Sequence, residues 1–121
     1  LRPGGSLSCY DWMKSAAPYS EDMLYWFKVE GLTYALETLE DYERHLQHCG
    51  FVDIGVEDAS SWYRSQVSLE YELIKGKLYP RMVELLGQQD ADHFVENWRA
   101  MTIVCNSGEM RQCYCRGQRP H

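Results

Sequence analysis

Apolar and polar residues alternate in three short segments of the chain, and this pattern predicts three strands. The segments are residues 6–10, 51–56 and 109–116. The first follows the turn signal Pro3-Gly4-Gly5 and is predicted to end at Asp11. In the last strand, Cys113 and Cys115 are predicted to share one face, because successive strand residues point to opposite sides.

Residues 38–50 show the clearest helical pattern in the chain. Thr38 is a good N-cap residue and Gly50 suits the position after the helix end. Apolar residues recur at spacings of three, four and three: Leu39, Tyr42, Leu46 and Cys49. The aromatic segment 23–27 is compatible with either a helix or a lid.

Two further helical regions precede the last strand. Residues 60–87 are helical in composition, with a break predicted at Pro80 because proline interrupts a helix. Asp90 is predicted to cap the next helix, whose apolar stripe is Phe94, Trp98, Met101 and Cys105.

The order of these segments predicts an α/β fold: strand, helix, strand, a helical region and a final strand. The length of 121 residues fits a single domain, residues 1–121, with residues 117–121 expected to form a flexible tail. A total of 45% hydrophobic residues is ordinary for a globular protein, and no apolar run is long enough to cross a membrane.

The charge and the cysteines narrow the possible partners and the compartment. Twelve Lys and Arg against 18 Asp and Glu give a formal net charge of −6, which argues against binding to nucleic acid or an anionic membrane. The five cysteines lack CxxC pairs and zinc-ligand spacing, and Cys9 and Cys49 lie in apolar contexts typical of buried thiols. We therefore expect no metal site and a reducing, cytoplasmic location.

The succession of motifs resembles the C-terminal half of a class I S-adenosylmethionine-dependent methyltransferase, and most of all the phosphoethanolamine N-methyltransferase group. The resemblance rests on Leu1-Arg2-Pro3-Gly4-Gly5 before the first strand, on Gly50-Phe51 and Asp53 at the second, and on the final strand. It implies a partial Rossmann-like sheet of about three strands, with the last one antiparallel between the other two. Since the chain starts at that turn without Met, we expect a further segment upstream.

The resemblance also bears on the cofactor, because the intact family uses S-adenosylmethionine. That family binds it through a glycine-rich E/D-x-G-x-G-x-G loop, which this sequence lacks, its one Gly-Gly pair being Gly4-Gly5 in the turn. We therefore expect no cofactor binding in the usual mode and no catalysis by this chain alone.

The candidate substrate-binding residues are Tyr10, Asp11, Trp12, Tyr34 and Arg99. Residues 10–12 lie at the carboxyl end of the first predicted strand, where open α/β sheets bind ligands. The alternative is that Asp11 ends the strand while the two aromatic residues cover its edge. The ring face of Tyr34 suits a cationic amine, or an ordinary position at the edge of the core. Arg99 suits a phosphate, or the plain helix surface.

Several residues depart from the resembled pattern or have a simpler interpretation. The group carries a tyrosine where this chain has Trp12, and a basic residue where it has Leu32. His45 and His48 are interpreted as solvated residues of one helix, and His93 as part of a helix cap.

The expected partners follow from the apparent absence of half the fold. Without it, Leu7, Cys9, Ile54 and Val56 would form an uncovered apolar sheet face, which predicts a homodimer or pairing with a separate N-terminal half. The alternative to a methyltransferase segment is a freestanding, non-enzymatic α/β binding module that self-associates.

Overall fold

The computed structural model describes residues 1–31 and 33–121, and within them it contains five helices and three strands. In chain order these are β1 (Ser6–Lys14), α1 (Glu21–Glu30), α2 (Leu39–His48), β2 (Val52–Asp58), α3 (Ser60–Lys75), α4 (Tyr79–Leu86), α5 (Gln88–Asn106) and β3 (Met110–Gln118). The α/β class predicted from the sequence is confirmed.

The three strands form one sheet in the order β1-β3-β2. β3 pairs antiparallel with both neighbours, so β1 and β2 run parallel to each other. Tyr10 lies opposite Tyr114, and both Cys9 and Val56 lie opposite Cys115. This is the arrangement that the resemblance implied, with the last strand between the other two.

Helices cover both faces of the sheet. On one face α1, α3 and α5 build a core around Trp26, Val67, Val104 and Met110. On the other face α2 places Leu46 against Met13 and the two thiols of β3. The sheet is therefore the middle layer of three.

The helix α2 confirms its sequence prediction almost residue by residue. The Thr38 hydroxyl accepts a hydrogen bond from the Asp41 backbone N–H at 3.1 Å, as an N-cap should. Leu46 is buried, but Cys49 lies past the helix end and is exposed, so its predicted burial is wrong. Of the predicted stripe, Leu39, Tyr42 and Leu46 therefore pack against the sheet, and Cys49 does not.

The turn before β1 also forms as predicted. The Gly5 N–H donates to the Arg2 carbonyl at 2.9 Å, and Gly4 has a φ of 74°, which a side chain would strain. The segment 23–27 lies within α1, so of the two alternatives the helix is confirmed.

The first strand is longer than predicted. β1 continues past Asp11 to Lys14, because nine residues of β3 provide partners along its whole length. Residues 10–12 consequently lie inside the sheet ladder rather than at its end. At the other end of β3 the strand continues to Gln118, two residues beyond the predicted limit, and the Arg119 N–H donates to the Gly5 carbonyl at 2.8 Å.

The helix boundaries near Pro80 and Asp90 also move. The break falls at Gly76, and Pro80 lies in the first turn of α4, where its missing N–H is not needed. α5 begins at Gln88 with Gly87 as its N-cap, so Asp90 lies in the first turn instead of capping it.

The sheet face that was expected to be bare is partly covered. Leu7, Cys9, Ile54 and Val56 pack against the core formed with Leu46, because α2 folds back over them. The argument that these residues have nothing to bury against is therefore wrong. Self-association itself stays a prediction.

Candidate functional site

A cleft of about 320 Å³ opens between β1, α1, α3 and α5, and we call it the aromatic cleft. This size is at the lower end of the range of small-molecule sites. Its lining residues are Trp12, Glu30, Tyr63, His93, Phe94, Asn97, Trp98 and Met101.

Trp12 reaches this cleft from β1, and a buried amide fixes its orientation. Gln112 on β3 is 1% exposed. In the amide orientation that satisfies both groups, its oxygen accepts from the Trp12 indole N–H, and its nitrogen donates to the Asp11 carbonyl at 2.9 Å. The Trp12 ring also meets Trp26 edge to face, with centroids 5.2 Å apart. Its position is therefore set by the sheet and by α1 together.

Tyr34 joins the same aromatic group from the segment that follows α1. Its ring stacks on Trp26 at a centroid distance of 5.6 Å and meets Trp12 edge to face at 5.7 Å. Its hydroxyl donates to Glu30 Oε1 at 3.4 Å. Burial, followed by the nearby Glu30 charge, raises the pKa of Tyr34, so the phenol stays protonated and remains a donor.

A short polar chain links the core to the cleft. The Trp26 indole N–H donates to Asn97 Oδ1 at 3.1 Å, and Asn97 Nδ2 donates to Glu30 Oε2 at 2.5 Å. Trp26 is fully buried and Asn97 is 9% exposed. Each oxygen of the Glu30 carboxylate thus accepts one hydrogen bond, and a carboxylate retains capacity for further donors.

The opposite wall is fixed by α3 and α5. The Trp98 indole N–H donates to Glu70 Oε2 at 3.0 Å, and the Phe94 ring lies 5.9 Å from the Trp98 ring. Burial raises the pKa of Tyr63 to about 12, so this phenol is neutral at physiological pH. The cleft therefore combines aromatic walls with one carboxylate.

Of the five candidate residues, Trp12 lines the aromatic cleft, and Tyr34 packs against Trp12. Together with Asp11, these two residues also line a separate cavity of about 220 Å³. Tyr10 shares the sheet face of Trp12 but packs instead on Tyr114, at a centroid distance of 4.5 Å, and near Trp62 at 6.3 Å. Asp11 points to the other face of the sheet, the face that α2 covers, and its own side chain is exposed there.

Arg99 is also outside the cleft. Its guanidinium donates to both carboxylate oxygens of Glu96, at 2.8 and 2.7 Å, on the surface of α5. The phosphate that this residue was predicted to bind would have to displace that ion pair. Leu32 lies outside the described residues.

Sequence reasoning missed Glu30, Asn97 and Gln112. Glu30 lies 67 positions before Asn97 in the chain. A pattern of local spacing carries no information on such a pair. A polar residue within a helical stripe is the one local signal at Asn97.

Metal binding has no support in residues 1–31 and 33–121, where no cluster of three or more His, Cys, Asp or Glu residues could hold an ion. In the same part of the chain no helix is long and apolar enough to span a membrane. His45 and His48 are exposed on α2, and His93 lines the aromatic cleft from the first turns of α5.

The described residues do not fit S-adenosylmethionine in the usual mode. β2 continues through a single residue, Ala59, into α3, and the connection from β1 to α1, residues 15–20, contains no glycine. A glycine-rich loop at the end of a strand is what lets a backbone approach such a cofactor closely. Neither connection provides one.

No family model matches the chain. Comparison with individual proteins does find relatives, and these are phosphoethanolamine N-methyltransferases. The chain is 31% identical over 112 residues to a phosphoethanolamine N-methyltransferase of Triticum aestivum, and 29% identical over 111 residues to phosphoethanolamine N-methyltransferase 1 of Zea mays. Each match covers 92% of the chain but 21% and 22% of the relative, respectively. The chain thus spans about a fifth of the length of these relatives.

Two solved structures share the fold of this chain. Haemonchus contortus phosphoethanolamine N-methyltransferase 2, in complex with phosphomonomethylethanolamine and S-adenosylhomocysteine, matches with a TM-score of 0.87 at 21% identity, over 100% of this chain and 28% of that one. The cyclopropane synthase MmaA2 of Mycobacterium tuberculosis matches with a TM-score of 0.82 at 11% identity, over 98% of this chain and 46% of that one. At these identities the likeness establishes the fold.

Proposed function

Because the chain is homologous to phosphoethanolamine N-methyltransferases over 92% of its length, we propose that it is the substrate-side segment of a methyltransferase acting on a small-molecule amine. The observation that carries the proposal is the aromatic cleft. Trp12, a candidate residue from the sequence, lines this cleft together with a carboxylate, Glu30. Tyr34 packs on Trp12 and donates a hydrogen bond to Glu30 from beside the cleft.

The chemistry of the cleft supports an amine substrate. Aromatic ring faces attract ammonium groups, and a carboxylate neutralises their charge and accepts their N–H bonds. Asn97 and the Tyr34 hydroxyl hold the carboxylate in place before any ligand arrives. The role assigned to this chain is therefore to bind and orient the amine, since positioning is a large part of the catalysis of two-substrate reactions.

The proposal gives the chain no methyl transfer on its own. The connections after β1 and β2 do not form the glycine-rich loop that would hold S-adenosylmethionine, which supplies the methyl group in the intact family. Another part of a longer protein, or a separate N-terminal half, must therefore provide that subsite.

A chimeric enzyme tests the proposal. The matched 28% of the Haemonchus contortus enzyme is replaced by this chain, and methyl transfer to a panel of amines is followed by mass spectrometry. We expect methylation of at least one amine, and a loss of at least tenfold in kcat/KM on Trp12→Ala, whereas Tyr10→Ala, off the cleft, should change it less than twofold.

The refuting result is a chimera that folds and binds S-adenosylmethionine but methylates no amine of the panel. For the isolated chain, calorimetric titration with S-adenosylmethionine should give no binding heat. Micromolar affinity would contradict the assignment of the cofactor subsite to another segment.

A second candidate is a non-enzymatic module that self-associates, and the edge of the sheet favours it. β1 is nine residues long and lies at one end of the strand order. Within the described residues its outer side has no strand partner, although the Lys14 N–H donates to the Glu37 carbonyl at 2.9 Å, so the rest of that side could pair with a second copy. Beside β1, Tyr10, Trp62 and Tyr114 are 40%, 56% and 47% exposed. A symmetric dimer through β1 would bury them.

Light scattering across a wide concentration range tests this alternative. A dimer mass that falls to the monomer on Tyr10→Lys would support it, because a charge on the edge strand opposes pairing. A strictly monomeric mass throughout would remove it.

The cytoplasm is the compartment that we propose for this protein. All five cysteines are free thiols, and Cys49 is exposed, a state that a reducing compartment preserves. Fractionation of cells expressing the tagged protein checks the location, and recovery in an oxidising compartment with Cys49 in a disulfide would overturn it.

A further inference from the structure

The amide of Gln112 is a buried polar group in a part of the sheet that is otherwise apolar. Its side chain is 1% exposed, and Met110 and Cys113 near it on β3 are buried as well. A buried amide is costly unless its hydrogen-bonding atoms find partners. Gln112 finds them in the indole N–H of Trp12, which lies directly opposite in the register of β1 and β3, and in the Asp11 carbonyl. The buried amide of β3 therefore serves a tryptophan of the aromatic cleft.

The backbone of Gln112 is fixed by the start of α3. β2 ends at Asp58, so the partners of Gln112 on that side come from the residues that follow β2. The Ala59 N–H donates to the Gln112 carbonyl at 2.9 Å, and the Gln112 N–H donates to the Ser60 hydroxyl at 3.0 Å. Ser60 is 8% exposed, and its own N–H donates to Asp58 Oδ1 at 2.9 Å. The junction between β2 and α3 thus holds the residue whose side chain holds Trp12.

A fixed orientation matters because Trp12 is a wall of the aromatic cleft. The hydrogen bond to Gln112 engages the polar edge of the indole, and the contact with Trp26 fixes the ring from the side of α1. A ring that is already held loses little conformational freedom when a ligand binds, whereas a ring that rotates freely must first be ordered. Gln112 is not among the described residues that line the cleft, so it acts on a ligand there through Trp12.

We propose that Gln112 is a positioning residue of the aromatic cleft: its amide, anchored by Ser60, sets the orientation of the Trp12 ring and thereby the affinity of the cleft for its ligand. This inference rests on the proposed function, because it concerns the amine site assigned there. It adds to that site a residue that lies behind the wall of the cleft.

Fluorine NMR of the chain with fluorinated tryptophan tests the effect on Trp12. The four tryptophans give four signals, and the one lost in Trp12→Phe belongs to Trp12. Gln112→Met keeps an unbranched side chain but removes both hydrogen bonds, so we expect the Trp12 signal to shift or broaden more than the other three. Gln118→Met, on the same strand and the same face but near its end, is the matched control. A Trp12 signal that moves no further in Gln112→Met than in this control would overturn the inference.

Gln112→Glu separates hydrogen bonding from packing, because it preserves the shape of the side chain. An ionised carboxylate accepts from the Trp12 N–H but cannot donate to the Asp11 carbonyl, whereas the protonated acid can do both. We therefore expect the Trp12 signal of this variant to return towards its native position as the pH falls through the pKa of the introduced carboxyl. The unmodified chain, measured over the same pH range, accounts for Glu30 and His93, which also line the cleft. A signal displaced equally at every pH would indicate packing alone and would overturn the inference.

The unmodified chain decides the question even when a variant fails to fold. Proton NMR measures the exchange of each indole N–H with solvent. The Trp12 N–H should exchange about tenfold or more slowly than that of Trp62, which is 56% exposed, because a held and covered N–H is protected from exchange. Comparable rates for the two would overturn the inference.

The chimeric enzyme connects the orientation of Trp12 to amine binding. The probe is phosphoethanolamine, the compound for which the relatives are named. We expect Gln112→Met to raise KM for phosphoethanolamine about fivefold or more and to change KM for S-adenosylmethionine less than about twofold, because a misplaced wall weakens the positioning of one substrate. Gln118→Met should leave both values unchanged.

The same chimera separates this inference from the proposed function. An active chimera in which Gln112→Met leaves KM for phosphoethanolamine unchanged would overturn the inference and leave the methyltransferase role intact. A folded chimera that methylates no amine would refute that role. A Trp12 signal that is displaced in Gln112→Met and restored by acid in Gln112→Glu would then still support the positioning of the ring by Gln112.

Discussion

Replacing Asn97 by alanine removes the central link between α1 and α5. The change leaves the Trp26 indole N–H without an acceptor in a place where that side chain has no exposure to solvent. It also removes the 2.5 Å hydrogen bond that Asn97 donates to Glu30. Both effects oppose folding.

The magnitude follows from the surroundings of the two partners. A buried donor left unsatisfied costs about 1–3 kcal/mol. Glu30 is only partly buried and regains water, so the lost bond to its carboxylate contributes roughly 1 kcal/mol rather than the larger value of a buried charged pair. We therefore expect Asn97→Ala to lower the free energy of unfolding by about 2–4 kcal/mol.

Urea denaturation followed by tryptophan fluorescence measures this loss. At a slope of about 1.5 kcal/mol per molar urea, the midpoint should fall by roughly 2 M. Asn106→Ala, at the exposed end of the same helix, is the control and should move it by less than a quarter of that. A loss for Asn97→Ala no larger than that of the control would refute the role assigned to the link.

Three further predictions concern the second core, the surface ion pair and the thiols. Leu46→Ala should lower the free energy of unfolding by about 2–5 kcal/mol, because it leaves a cavity at a 7% exposed position between α2 and the sheet. Urea denaturation measures this loss, and a value below about 1 kcal/mol would contradict that packing. Hydrogen bonds, first from Arg99, lower the pKa of Glu96 from 4.5 to about 2, so its stabilising contribution is present above pH 4.5 and lost as the pH falls towards 2. Arg99→Gln should flatten that part of the stability profile, and an unchanged acid limb would argue against the pair. Iodoacetamide on the native chain should modify the exposed Cys49 and spare Cys105, which is 2% exposed and whose pKa burial raises to about 12; equal labelling by mass spectrometry would disprove this.

The aromatic candidate residues show how much of the site could be predicted from the sequence. Trp12 and Tyr34 were selected from the sequence as candidate substrate-binding residues, and they do meet, because both pack on Trp26. Tyr10 and Arg99 were identified on similar grounds and lie elsewhere. The residue types were informative, but their spatial grouping depends on how α1 docks against the sheet and α5.

The sequence by itself determined the elements and their order. Periodicities of two and 3.6 are local properties of the backbone, so the cap at Thr38 and the strands around residues 52–56 and 110–116 could be read directly. The position of β3 between β1 and β2 followed from the resemblance, and the ladder confirms it.

Only the tertiary structure decided where β1 ends and what forms the cleft. β1 runs to Lys14 because β3 offers hydrogen-bonding partners that far, and Glu30 meets Asn97 across 67 residues because two helices pack side by side. Strand length and side-chain pairing across elements are set by contacts between distant segments, and no local pattern of residues contains them. For that physical reason, Glu30, the carboxylate that lines the cleft, could not be found from the sequence.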